Sequence, residues 1–183
     1  YYAEKVRKAK YDLDENEIKP YFQLDKLKGG LFFMAKQLYG FDFTKEKAPT
    51  LRDDIEVYEV TRQGHVGDWY FDPYARNGKS SGAWMNEYRT QENFKKPVAP
   101  IVSNNSNFAK TTGGKPVLLS FDDAETMFHE FGHALHGLNS KAHYPMLAGT
   151  NVARDFVEFP SQMHENFLTT PQVLSQFAIH AET

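Results

Sequence analysis

The segment SFDDAETMFHEFGHALHGLNS, residues 120–140, constrains the fold more than any other part of the chain. Phe128, Phe131, Leu135 and Leu138 recur at intervals of three and four, which is the apolar stripe of a helix packed on one side. Ser120 followed three residues later by Asp123 has the pattern of a capping box. Asp122, Asp123 and Glu125 bring negative charge to the end of the helix where its dipole favours it. Gly137 and Asn139 supply a stop. The beginning, the packed face and the end of this helix are therefore all written locally.

The same helix carries three of the seven histidines. Residues four apart stack on one helical face, so the imidazoles of His129 and His133 can converge on one ion. With no cysteine in the chain, thiolate ligation, disulfides and a thiol nucleophile are excluded, leaving nitrogen and oxygen donors, which suit zinc. A catalytic zinc takes three protein ligands and keeps a position open, where it lowers the pKa of water to about 7 and polarises a carbonyl. Glu130 lies beside that position, suited to shuttle a proton rather than to ligate. The third ligand is open on spacing alone. The pattern HExxHxxGxxH fails, because His136 and Asn139 stand where its Gly and last His belong. A carboxylate from the next helical segment is the alternative, with Asp155, Glu158 and Glu165 as candidates. Asp155 and Glu125 are also candidates to orient a ligating histidine through its ring N–H, although the helix dipole already accounts for Glu125.

The rest of the chain is read more coarsely. Leu24, Leu27, Leu31, Ala35 and Leu38 predict a helix between Pro20 and Gly40, with Gly29 and Gly30 marking a break or a close contact. Residues 41–54 read as loop. IEVYEVTR and HVGDWYFDPYA, separated by Gln63 and Gly64, predict a β-hairpin whose aromatics serve the core. Residues 77–96 read as loop, with NGKSSGAW as a stretch where a peptide backbone could approach. PVAPIVSNN reads as an edge strand that could pair with an extended substrate. In NVARDFVEFPSQMHENFL, Phe156, Met163 and Phe167 form the apolar face, and Pro160 predicts a kink or helix start. His136, His143 and Tyr144 are weaker binding candidates; His65, His164 and His180 have no local constellation.

These elements predict a mainly α chain with a small β-sheet, an α+β fold. At 183 residues it is read as a single unit: a lead-in over 1–53, sheet and loops over 54–119, and the metal-site helices over 120–183. A net charge of -3 with scattered basic residues offers no face to nucleic acid or to an anionic membrane. No apolar run approaches the roughly 20 residues of a membrane span, so the expectation is a soluble, cytoplasmic protein of undetermined oligomeric state. The chain begins at Tyr1 without a secretory pattern and reads as a piece of a longer one.

FHEFGHALH followed by GTNVARDFVEFPSQMHENF resembles the thimet oligopeptidase and peptidyl-dipeptidase family of zinc metallopeptidases, the bacterial peptidyl-dipeptidase branch most closely. GDWYFDPYARNGKSSGAW and GGKPVLLSFDDAETMFHEFGH extend the likeness over most of residues 54–170. The resemblance implies one Zn2+ per chain on His129, His133 and Glu158, with Glu130 as general base. It also implies short peptides as substrates, cut internally or released as C-terminal dipeptides. Family enzymes are several times longer, and their oxyanion-stabilising groups lie C-terminal to this stretch. Since losing one such donor costs about 10² to 10³ in rate, the segment alone is expected to bind zinc and to cleave weakly or not at all.

Overall fold

The computed structural model describes residues 2, 5, 6 and 15–182. The remaining positions, which include much of the start of the 1–53 lead-in and of the opening read for a targeting signal, lie outside the described residues. Among the described residues, five helices and five strands run in the order α1 (Glu15–Ile18), α2 (Leu24–Tyr39), β1 (Asp42–Glu46), β2 (Glu56–Thr61), β3 (His65–Tyr74), β4 (Trp84–Arg89), β5 (Ile101–Phe108), α3 (Phe121–Leu138), α4 (Glu158–Glu165) and α5 (Pro171–Phe177). This is the expected α+β arrangement. The sheet order is β1-β2-β3-β5-β4. Every neighbouring pair is antiparallel except β3 and β5, which run parallel.

Helix α2 forms where predicted, and Gly40 closes it in the left-handed conformation at φ 72°. Leu24, Leu27, Leu31 and Ala35 are buried, while Leu38 faces outward. The helix is not broken at its glycines. A Cβ on Gly30 would stand 2.9 Å from the Phe177 ring of α5, so this glycine marks a close helix contact, whereas Gly29 has open space beside it. The β2–β3 hairpin also forms as predicted, turning through Gln63 and Gly64 with positive φ. Trp69 and Phe71 from β3 lie in the core. Phe131 of α3 seats on the sheet edge-on to Trp69 at 5.2 Å between ring centroids, which places the metal-site helix against the strands.

Four expectations need correction. Residues 41–54 contain strand β1, and residues 77–96 contain strand β4. Both are outermost strands, with half or more of each exposed, so neither shows the apolar alternation by which a half-buried strand is recognised. The stretch read as an edge strand is instead the interior strand β5, held between β3 and β4. Its prolines precede the paired residues, and it is buried on both faces over residues 102–106, where Val102 alone is apolar and Ser103, Asn104, Asn105 and Ser106 are polar. Burial is tolerated because partners are provided. Trp69 Nε1 donates to Asn104 Oδ1 at 2.7 Å, Asn104 Nδ2 to the Glu130 carbonyl at 2.6 Å, and Asn105 Nδ2 to Ser103 Oγ at 3.1 Å. An extended substrate therefore cannot pair with β5; the free edge on that side belongs to β4.

The fourth correction concerns α4. Its helix starts at Glu158, with Pro160 in the first turn where a missing N–H costs nothing. Its buried residues are Ser161 and His164; of the predicted apolar face, Phe156 and Met163 are 47% and 42% exposed and point outward, while Phe167, just beyond the helix, packs against the core. No helix among the described residues is long and apolar enough to cross a membrane.

Candidate metal centre

Helix α3 presents the site. Its capping box is complete: Asp123 N–H donates to Ser120 Oγ at 3.0 Å, and Ser120 N–H to Asp123 Oδ2 at 3.1 Å. Phe128, Phe131, Leu135 and Leu138 are all buried and fix the roll of the helix. His129 and His133 then lie edge to face with centroids 4.9 Å apart. The Nε2 atoms of both rings reach the same carboxylate oxygen, Glu158 Oε2, at 3.1 Å and 3.0 Å. Among the described residues, these three side chains form the one group of histidines and carboxylates whose donor atoms lie within 4.8 Å of one another.

The opposite ring nitrogen of His129 is engaged as well. Its Nδ1 lies 2.5 Å from Glu165 Oε1, two turns along α4 from Glu158. An ionised carboxylate can only accept, so Nδ1 donates to Glu165, which leaves Nε2, facing Glu158, as the ring nitrogen available to a metal. Among the described residues, the buried Nδ1 atom of His133 has no hydrogen-bond partner. The Ser161 hydroxyl lies 3.0 Å from Glu158 Oε2.

Electrostatics separate the two glutamates. Burial pushes the Glu130 carboxyl above its ordinary value, with His129 and the Met85 backbone acting in the other direction. For Glu158, partial burial acts upward, but the Ser161 hydrogen bond and the two histidines outweigh it and hold the carboxyl below its ordinary value. Burial pushes His133 down, favouring the neutral imidazole that a metal requires. Glu130 is thus the more basic of the two carboxyls, and Glu158 is the one kept charged.

These groups floor a cleft walled by Ala83, Trp84 and Met85 at β4 and by Thr150, Val157 and Glu158 opposite. The NGKSSGAW stretch therefore reaches the site through its last two residues. Lys79 anchors it, donating to the carbonyls of Asp72 at 2.8 Å and Tyr74 at 2.9 Å. A separate surface cavity bounded by Gln23, Tyr74, Lys110 and Lys115 contains none of the site residues.

The structure brings His129, Glu130, His133 and Glu158 together. Asp155 and Glu125 are exposed, and neither hydrogen-bonds to an imidazole; Glu165 takes the place proposed for them. His136 is half-buried near Phe156, outside the donor group. His143 and Tyr144 stack with Phe94 in a loop cluster that does not line the cleft. Sequence reasoning also missed His164, which is buried, with Nδ1 2.5 Å from the Pro160 carbonyl and Nε2 2.8 Å from the Tyr39 hydroxyl, tying α4 to α2. Its signal was positional: it follows Pro160 by four residues, on the helix face that Ser161 shares.

Two histidines and one glutamate thus meet on adjoining helices beside a sheet edge, a donor group that could hold a metal ion. The chain belongs to Peptidase family M3, whose pattern matches residues 1–183. It is 44% identical over 187 residues to a dipeptidyl carboxypeptidase of Escherichia coli, covering all of this chain and 27% of that protein. It is 43% identical to a dipeptidyl carboxypeptidase of Salmonella typhimurium, with the same coverage. It is 33% identical over 192 residues to oligopeptidase A of Escherichia coli, covering 28% of it. The chain thus spans about a quarter of the length of these relatives.

Proposed function

We propose that His129, His133 and Glu158 hold one zinc ion per chain, that Glu130 is the proton acceptor and donor, and that the cleft hydrolyses peptide bonds in short peptides. The observation that carries this reading is the convergence of two Nε2 atoms on one Glu158 oxygen, with Glu130 beside them. The residues fit the ion: two imidazoles, at least one fixed as an Nε2 donor by its Nδ1 partner, and a carboxylate are a set that suits zinc where thiolates are absent. A zinc ion held there supplies Lewis acidity toward a carbonyl and toward water.

The chain's own residues do the rest. Glu130, raised by burial, takes a proton from the attacking water and returns it to the leaving amine. Among the described residues the outer edge of β4 is unpaired, and strand addition there aligns an extended peptide across the cleft. Since the relatives are several times longer, the activity is assigned to a longer protein, and the 183 residues alone are proposed to be weakly active or inactive.

Within this reading, the 44% identity to a dipeptidyl carboxypeptidase favours release of C-terminal dipeptides, while the likeness to oligopeptidase A favours internal cleavage. Mass spectrometry of products from a peptide of about ten residues decides between them: successive dipeptides support the first and internal fragments the second. Glu130→Gln tests the catalytic role. In the longer protein it should keep the metal and lose turnover; turnover that survives would show that Glu130 is not the proton carrier, whereas a longer protein that binds metal and cleaves no peptide would mark the cluster as a binding module.

A further inference from the structure

Gly132 stands between the two histidines of α3, and its missing side chain sets how closely α4 approaches. A Cβ at this position would lie 2.8 Å from Ser161 Cα and 3.1 Å from His164 Nδ1. The backbone of α4 therefore presses on α3 one turn beyond Glu158. Ser161 is completely buried at this contact. Its hydroxyl lies 3.0 Å from Glu158 Oε2 and 2.9 Å from the Glu158 carbonyl. That Oε2 is the same atom the two histidines approach.

The hydroxyl has one hydrogen to donate, and a charged carboxylate is a stronger acceptor than a neutral carbonyl. Glu158 needs such a tether, because its side chain is 51% exposed and nothing else on α4 turns it from solvent toward α3. Ser161 is the reverse: fully buried, it has no freedom to follow a wandering carboxylate.

We propose that Ser161 is a positioning residue of the metal centre, its hydroxyl fixed against α3 at Gly132 and holding the Glu158 carboxylate toward His129 and His133. The proposal rests on the zinc reading above. Ser161 touches neither substrate nor ion and acts only through Glu158. The competing role is purely local: serines in helices commonly return their hydrogen to a carbonyl three or four residues back, and in that case metal binding is indifferent to Ser161.

A double-mutant cycle in zinc affinity separates the two roles. Zinc is titrated against a chromophoric chelator in the full chain, as wild type, Ser161→Ala, Glu158→Ala and the double variant. Ser161→Ala is expected to weaken zinc about tenfold to a hundredfold, the usual loss when a ligand's hydrogen-bond partner is removed. In the Glu158→Ala background the same substitution is expected to change nothing, because the carboxylate it positions is gone. Unchanged affinity in Ser161→Ala overturns the proposal, as does an equal loss in both backgrounds, which is also the signature of a general folding defect. A wild type that binds no zinc fails the metal reading itself and takes the proposal with it, so the two failures are distinct.

Discussion

Glu165 Oε1 lies 2.5 Å from His129 Nδ1, on the side of the imidazole opposite Glu158. The contact fixes the ring's tautomer and its rotation. Removing it with Glu165→Ala should leave the fold intact and lower metal affinity by about 10- to 100-fold, measured by chelator competition. Asp155→Ala and Glu125→Ala, which remove exposed carboxylates, should leave affinity unchanged.

Gly29 and Gly30 are neighbours in α2 with opposite surroundings. Ala at position 29 meets open space and gains helix propensity, so it should stabilise by up to about 1 kcal/mol. Ala at position 30 drives a Cβ to 2.9 Å from the fully buried Phe177 ring. Overpacking of that kind costs about 1–3 kcal/mol, which outweighs the same propensity gain. Urea denaturation of the two variants should therefore move in opposite directions.

The site's neighbour α4 is held to α2 by His164. The Pro160 carbonyl can only accept, so Nδ1 of His164 carries the hydrogen and Nε2 accepts from the Tyr39 hydroxyl. Tyr39→Phe strands that buried acceptor and should cost about 1–3 kcal/mol in unfolding free energy. An unchanged denaturation midpoint would show that solvent replaces the hydroxyl.

Asp72 should give the chain a marked acid sensitivity. Burial acts to raise its carboxyl, but hydrogen bonds from Arg76 and Lys79 outweigh that and hold it below its ordinary value. A carboxyl depressed in the folded state contributes stability that is complete above its unfolded pKa of about 3.9. That contribution is lost as pH falls through the folded value. The stability gap between wild type and Asp72→Asn should therefore be constant from pH 7 to about 5 and narrow as pH falls below about 4; a gap that does not narrow there would contradict the assignment.

What the sequence disclosed followed how local each signal was. Helix α3 was legible because its cap, stripe and stop all lie within residues 120–140, and His129, Glu130 and His133 came with it. Strand β5 was misplaced because four of its buried residues, Ser103, Asn104, Asn105 and Ser106, are polar, and the partners of Asn104, Trp69 and Glu130, are far away in sequence. The face of α4 was inverted for a related reason. What decides it is the gap at Gly132, and a glycine gives no sign of what will approach it. Glu158 was one of three open carboxylates on spacing, and only the likeness to a peptidase family singled it out. The role of Glu165 depends on the docking of α4 and could not be read before that docking was known.

The most direct test of the account is zinc content by elemental analysis of the purified protein, beside His129→Ala, Glu158→Ala and Glu130→Gln. The account predicts about one zinc per chain in wild type and Glu130→Gln, and loss of it in the other two. Zinc retained in folded His129→Ala and Glu158→Ala, or absent from folded wild type, would contradict it.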